Sequence, residues 1–171
     1  GGVGRTLVSY LTREYDANLI LVGRKSELPG IEVMNNGKGN LFYVQNDLKD
    51  SSDLQQKIEP CIKKLGGVDG VLHTAGMSDY AGLIKYRENK DCQDVFLPKV
   101  EGTRNLFDAI KEYSPEFMVL FSSAATILAP FGQVGYVAAN SYQDAFAKAN
   151  TSDIHVASIL WEAWKEVGMA V

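Results

Sequence analysis

The chain has 171 residues, of which 17 are Lys or Arg and 21 are Asp or Glu, for a formal net charge of −4. Hydrophobic residues at 46% and charged residues at 22% fit one globular domain and are too apolar for a disordered chain. The acidic balance argues against a nucleic-acid partner held through its phosphates, and no run of about 18 uninterrupted apolar residues offers a membrane helix. Cys61 and Cys92 are too few for a disulfide framework or a four-ligand zinc site. No signal segment opens the chain. It opens on a glycine run without Met and reads as a fragment of something longer.

Gly1-Gly2-Val3-Gly4 leads into a helical pattern with Val3, Leu7 and Leu11 on one stripe. Asn18 to Val22 is an apolar run of strand length, closed by Gly23-Arg24. Pro29 to Gly39, rich in Gly and Asn, reads as a loop. Leu41 to Val44 is a second strand ending near Asp47. Ser51 and Ser52 supply an N-cap candidate for a helix carrying Leu54, Ile58, Cys61, Ile62 and Leu65, which Gly66-Gly67 ends. Val68 to His73 is a third strand, leaving through Thr74-Ala75-Gly76. Phe96, Val100, Thr103, Phe107 and Ile110 mark one amphipathic helix. Phe117 to Phe121 is a fourth strand, Val134 to Ala149 an Ala-rich helix, and Ile154 to Leu160 a fifth strand. Apolar strands alternating with helices imply a parallel sheet covered on both faces. The expected fold is a doubly wound, Rossmann-like α/β domain of three layers over residues 1–171.

In such a fold ligands bind at the carboxyl ends of the strands. The glycine run stands before a helix, where backbone N–H groups and the helix dipole attract a diphosphate and a Cβ would hold the backbone away. A plain Gly-rich turn is the alternative. Arg24 and Lys25 follow a strand where an NAD site usually carries an acidic residue, so a 2′-phosphate, and NADPH, is favoured over a merely solvated turn. Asp47 could accept from an adenine amino group, and Thr74-Ala75-Gly76 stands where the backbone passes close to a cofactor. His73 and His155 read as a packing group and a surface group. Trp161 and Trp164 read equally as pocket walls or core.

Ser122-Ser123 closes the fourth strand, Tyr136 follows Ser123 by thirteen residues, and Asn140 lies one helical turn further on the same face. Lys99 precedes Ser123 by twenty-four residues. Hydride addition to a ketone builds negative charge on its oxygen. A hydroxyl such as Ser123 can stabilise that charge and a phenol such as Tyr136 can donate the proton. A nearby cation such as Lys99 favours an ionised phenol.

GGVGRTLVSYL at 1–11, LVGRKS at 21–26, VDGVLHTAGMSDYAGLI at 68–84, LPKVEGTRNLFDAI at 97–110, VLFSSAATILAPFGQVGYVAANSYQDAFAKA at 119–149 and WEAWKEVGMA at 161–170 resemble the ketoreductase domains of modular polyketide synthases. These belong to the short-chain dehydrogenase/reductase superfamily. The superfamily's usual helix carries Lys four residues after the Tyr. Polyketide ketoreductases exchange the two roles, and Lys99 with Asn140 fits that exchange.

The resemblance implies NADPH-dependent reduction of a β-ketoacyl thioester on an acyl carrier protein, within a cytoplasmic multidomain synthase that also holds a structural ketoreductase half. It implies catalytic roles for Lys99, Ser123, Tyr136 and Asn140, the last orienting the cofactor ribose or a proton-relay water. It places the cofactor on Gly1, Gly2, Val3, Gly4, Arg24, Lys25, Asp47, Leu48, Thr74, Ala75 and Gly76, and the acyl substrate by Tyr80, Leu128 and Trp161, with no metal. A first strand and a C-terminal lid and strand are expected outside the chain. Both of the family's stereochemical markers are missing: Leu-Asp-Asp is replaced by Ser78-Asp79-Tyr80, and the marker Trp by Leu128. The remaining alternatives are a free-standing short-chain reductase and a non-reducing structural or epimerising domain.

Overall fold

Each apolar run forms a strand, and each periodic stretch between them forms a helix. The computed structural model describes residues 1–34 and 37–168. In chain order the elements are α1 (Gly2–Tyr15), β1 (Leu19–Gly23), α2 (Ile31–Met34), β2 (Leu41–Gln45), α3 (Ser51–Leu65), β3 (Gly70–His73), α4 (Asn89–Lys99), α5 (Glu101–Ile110), β4 (Phe117–Ser123), α6 (Ala125–Leu128), α7 (Val134–Ala149) and β5 (His155–Trp161). Asn35, Asn36 and Met169 to Val171 lie outside the described residues.

All strand pairs are parallel, in two ladders ordered β1-β2 and β3-β4-β5. Leu19 lies opposite Leu41, Gly70 opposite Phe117, and Ser123 opposite Trp161. Among the described residues no strand pairing joins the two ladders, and β1 and β3 each pair on one side only. Val22 and Leu72 on these strands are 36% and 37% exposed.

The core lies between helices and sheet. Leu54, Ile58 and Ile62 of α3 and Leu106, Ala109 and Ile110 of α5 pack with Val44, Met118, Leu120 and Val156. Met118 and Leu120 alternate along β4 with half-buried residues, which is the period-2 pattern of a strand with one face fully covered.

Three local features differ from the sequence expectation. The N-cap of α3 is Asp50, whose carboxylate accepts the Asp53 N–H at 2.7 Å, and Ser51 and Ser52 are already helical. A single helical turn, α2, interrupts the expected loop over 29–39. The amphipathic helix around Phe96 to Ile110 is two helices, parted at Val100. Pro98 lacks an N–H and crowds the preceding turn, and Lys99 becomes the last residue of α4.

Leu120 is fully buried in the strand that ends on Ser123. Leu120→Ala is expected to cost about 2–5 kcal/mol through lost burial and a residual cavity, measured by urea denaturation of the intact protein.

Candidate active site

The carboxyl ends of β3, β4 and β5 meet the first turns of α1 and α7 around a cavity of about 520 Å³. Of the residues expected from the sequence, Val3, Thr74, Gly76, Tyr80, Lys99, Ser123, Tyr136 and Trp161 line it. Gly1, Gly2, Gly4, Arg24, Lys25, Asp47, Leu48, Ala75, Leu128 and Asn140 are not among its lining residues.

Lys99 is only 2% exposed. Its Nζ donates to the Phe121 carbonyl at 2.6 Å and to Gln143 Oε1 at 2.9 Å. Burial pushes its pKa down to about 8, against the opposing pull of Asp144. Gln143 is itself fully buried and donates Nε2 to Thr103 Oγ1 at 3.1 Å. Sequence reasoning missed Gln143. Its signal is its spacing, seven residues after Tyr136 and on the same face of α7.

Asn140 lies beside that set, fully buried, its Nδ2 donating to the Tyr136 carbonyl at 2.7 Å. Its Oδ1 is buried without a partner, a state that leaves an acceptor for an incoming hydroxyl or water. Ser123 Oγ accepts the Ala125 N–H at 3.1 Å, which leaves the hydroxyl hydrogen available. Tyr136 is half-buried on the cavity wall. His73 is a packing group as expected: it is buried, and its Nε2 donates to the Pro98 carbonyl at 2.9 Å. Burial first, and the Lys99 cation second, depress its pKa to about 4, with the Pro98 bond acting the other way. His155 is exposed, also as expected.

The glycine run forms the first turn of α1, and Gly1, its N-cap residue, makes no side-chain cap bond. A Cβ on Gly4 would stand 3.1 Å from Thr74 Oγ1, and one on Gly2 would stand 2.9 Å from the Gly168 N. Glycine therefore also lets α1 seat against the end of β3 and the 167–168 segment. Arg24 is exposed, with Nη2 3.2 Å from Met77 Sδ. Arg5, Lys25 and Arg24 all lie close enough to Gly1 to act on it electrostatically, so three cations gather at this helix start. Together with the helix dipole they suit anionic phosphates. Arg5 was not anticipated.

The turn after β1 is pinned to β2, since Tyr43 Oη donates to the Lys25 carbonyl at 2.7 Å and Gln45 Nε2 to the Arg24 carbonyl at 3.2 Å. Asp47 pairs with Lys49 at 2.8 Å, and that hydrogen-bonded ammonium holds its carboxyl below the ordinary range against the effect of desolvation. The Leu48 side chain is in the core at φ +63°, with its N–H on Asn46 Oδ1 at 2.7 Å and its carbonyl accepting Asn105 Nδ2 at 2.8 Å. Buried Asn46 organises this turn, and sequence reasoning missed it. Ala75 packs against the core. Tyr80 is 85% exposed at the cavity wall, and Leu128 on α6 is 71% exposed. Trp161 both lines the cavity and packs, its ring centroid 5.4 Å from Phe121 and 5.2 Å from Trp164. Its Nε1 is buried without a partner.

Among the described residues no group of three or more His, Cys, Asp or Glu could hold a metal ion, and no helix is long and apolar enough to cross a membrane. A profile described as the KR domain matches residues 1–166. The chain belongs to the KR-domain family. That family comprises the ketoreductase domains of modular polyketide synthases, within the short-chain dehydrogenase/reductase superfamily. Polyketide synthase PksN of Bacillus subtilis (strain 168) is 31% identical over 183 residues, covering all of the KR domain and 3% of the synthase. Polyketide synthase GfsA of Streptomyces halstedii is 28% identical over 176 residues, covering 99% of the KR domain and 2% of that synthase. The crystal structure of a ketoreductase domain from the bacillaene assembly line superposes with a TM-score of 0.89 at 27% identity, over 100% of this chain and 44% of that one. The chain thus spans a few per cent of its curated relatives' length, and its fold is the Rossmann-like one of the solved ketoreductases.

The fold keeps His73 neutral, because an unfolded imidazole takes up its proton near pH 6.5 and the folded one near 4. Between these values the unfolded chain binds more protons, so stability falls as pH drops through the window. The loss at its foot is about 3 kcal/mol. Urea midpoints from pH 7 to pH 4 are expected to fall more steeply for the wild type than for His73→Gln. Parallel curves would contradict this.

Proposed function

We propose that this KR domain reduces a β-ketoacyl thioester, carried by an acyl carrier protein, to the β-hydroxyacyl thioester at the expense of NADPH during polyketide synthesis. The observation that carries this reading is the convergence of Lys99, Ser123 and Tyr136 on one cavity beside the glycine-rich start of α1, with the open Oδ1 of Asn140 buried nearby. The relatives are named polyketide synthases, which supports a carrier-bound substrate and neighbouring synthase domains.

NADPH, when bound, supplies the hydride. The residues present suit it: the first turn of α1 for the diphosphate, Arg24 and Lys25 for the 2′-phosphate with Arg5 close by, Asp47 towards the adenine, and Thr74 and Gly76 at the cavity wall. Asn140 Oδ1 accepts from a ribose hydroxyl or a relay water. Ser123 donates its free hydroxyl hydrogen to the ketone oxygen as negative charge develops there. Tyr136 donates the proton as general acid. The ammonium of Lys99, with its pKa at about 8, is charged at neutral pH and offsets the charge left on the phenol.

Tyr136→Phe keeps the ring and is expected to lower kcat by about two to four orders of magnitude, with the melting temperature nearly unchanged. A large fall in melting temperature with activity kept would place Tyr136 in packing instead. Arg24→Ala should weaken NADPH by about 1.5–3 kcal/mol while NADH changes little, read by fluorescence titration of both cofactors. Equal loss for both would move the phosphate contact elsewhere. A wild-type protein that fails to oxidise NADPH in the presence of a ketoacyl thioester would overturn the reading as a whole.

A further inference from the structure

Gln133, the N-cap residue of α7, provides no side-chain cap. The helix is capped from another part of the chain: the Tyr136 N–H donates to Asp79 Oδ2 at 3.0 Å. Asp79 and Arg87 form an ion pair whose side chains are 1% and 3% exposed. Arg87 Nη2 lies 2.8 Å from each Asp79 carboxylate oxygen and donates to the Gly132 carbonyl at 2.8 Å, while Nε donates to the Gly82 carbonyl at 3.1 Å. Arg87 therefore ties the 79–87 segment to the turn that enters α7.

Gly135 is the second helical residue of α7. A Cβ there would stand 3.0 Å from Asp79 Oδ2 and 3.1 Å from Arg87 Nη1, so the close seat of the carboxylate on the helix start depends on glycine. An anion at a helix N-terminus is favoured by the dipole and by the free N–H groups. Desolvation opposes the charge on Asp79, but the bonds from Arg87, Tyr136 and Ala81 outweigh it and hold the carboxyl below the ordinary carboxylate range. Tyr136 is thus gripped on both sides of its Cα, its N–H by Asp79 and its carbonyl by Asn140 Nδ2. A buried ion pair of this kind contributes little net stability against an apolar replacement, so its geometric effect carries the weight.

We propose that Asp79, braced by Arg87, is the positioning residue for Tyr136, holding the first turn of α7 so that the phenol stands at the keto oxygen. This rests on the role given to Tyr136 above. Neither residue touches the reacting atoms in this proposal. Asp79 acts through the backbone of Tyr136 alone.

The test is a double-mutant cycle in the intact protein, with NADPH and a ketoacyl N-acetylcysteamine thioester as probes. Asp79→Asn is expected to lower kcat about ten- to a hundredfold, the effect of misplacing a reacting group. The NADPH dissociation constant should stay within about twofold of wild type, as for an uncoupled site. In a Tyr136→Phe background the same substitution should change kcat by less than about twofold, because the group through which it acts is gone. An unchanged kcat overturns the proposal. So does an equal loss in both backgrounds, which a merely structural role would give. If Asp79→Asn fails to fold because Arg87 is left unpaired, the neutral pair Asp79→Asn/Arg87→Gln takes its place with the same expectations. A wild type that neither binds NADPH nor reduces the thioester overturns the functional reading and this proposal together. A competent wild type with equal losses overturns this proposal alone.

Discussion

An ammonium taken out of water must find acceptors within the protein, or the cost is several kcal/mol. Lys99 is such a group, and much of the cleft is arranged to satisfy it. The Phe121 carbonyl of β4 and the Gln143 amide of α7 accept from it. Thr103 of α5 bonds both Gln143 and the Lys99 carbonyl, at 3.1 Å and 2.6 Å. Three helices and the central strand of one ladder are thereby fixed around one charge. The close of α4 at Lys99 and the parting at Val100 leave that side chain between β4 and α7.

α7 carries the complementary half. Its inward face presents Tyr136, Asn140 and Gln143 in succession, on a helix otherwise rich in small residues that lets it approach the sheet. Each of the three is held by a different partner: Gln143 by Lys99 and Thr103, Asn140 by the Tyr136 carbonyl, and Tyr136 by Asp79. Rigid support of this sort distinguishes a site that can direct a proton from a collection of suitable residues. The neighbouring His73 remains an uncharged packing group, because burial and the adjacent ammonium both resist its protonation.

The opposite wall is built by glycine and by positive charge. Gly2 and Gly4 let the start of α1 reach the end of β3 and the 167–168 segment, while Arg5, Arg24 and Lys25 gather at that end. Charge of one sign at a helix N-terminus is self-repelling until an anion arrives. That asymmetry gives the cleft an orientation, with positive charge at the α1 end and the Tyr136 phenol at the α7 end.

The five strands, the helices α3 and α7, and the placement of Ser123 at a strand end and of Tyr136 near a helix start were legible in the sequence. Their signals are local: apolar runs, helical periods and residue types at fixed spacings. The N-cap of α3 was misplaced by one or two residues, since Asp50, Ser51 and Ser52 are all good caps and only backbone geometry selects among them. Leu48 was expected at the cofactor, and the core position of its side chain was not legible because its left-handed backbone depends on Asn46 and its carbonyl is held by Asn105. Gln143 was passed over because a polar residue on a helix declares its partner only when another helix brings a lysine to it. The Asp79–Arg87 pair and its hold on Tyr136 link residues 8 and 57 apart in the chain. The sequence by itself determined which elements form and which reactive groups are available. Tertiary structure alone decided which charges are buried, and hence which partners orient the reactive groups, because burial and long-range hydrogen bonds exist only once distant segments have packed.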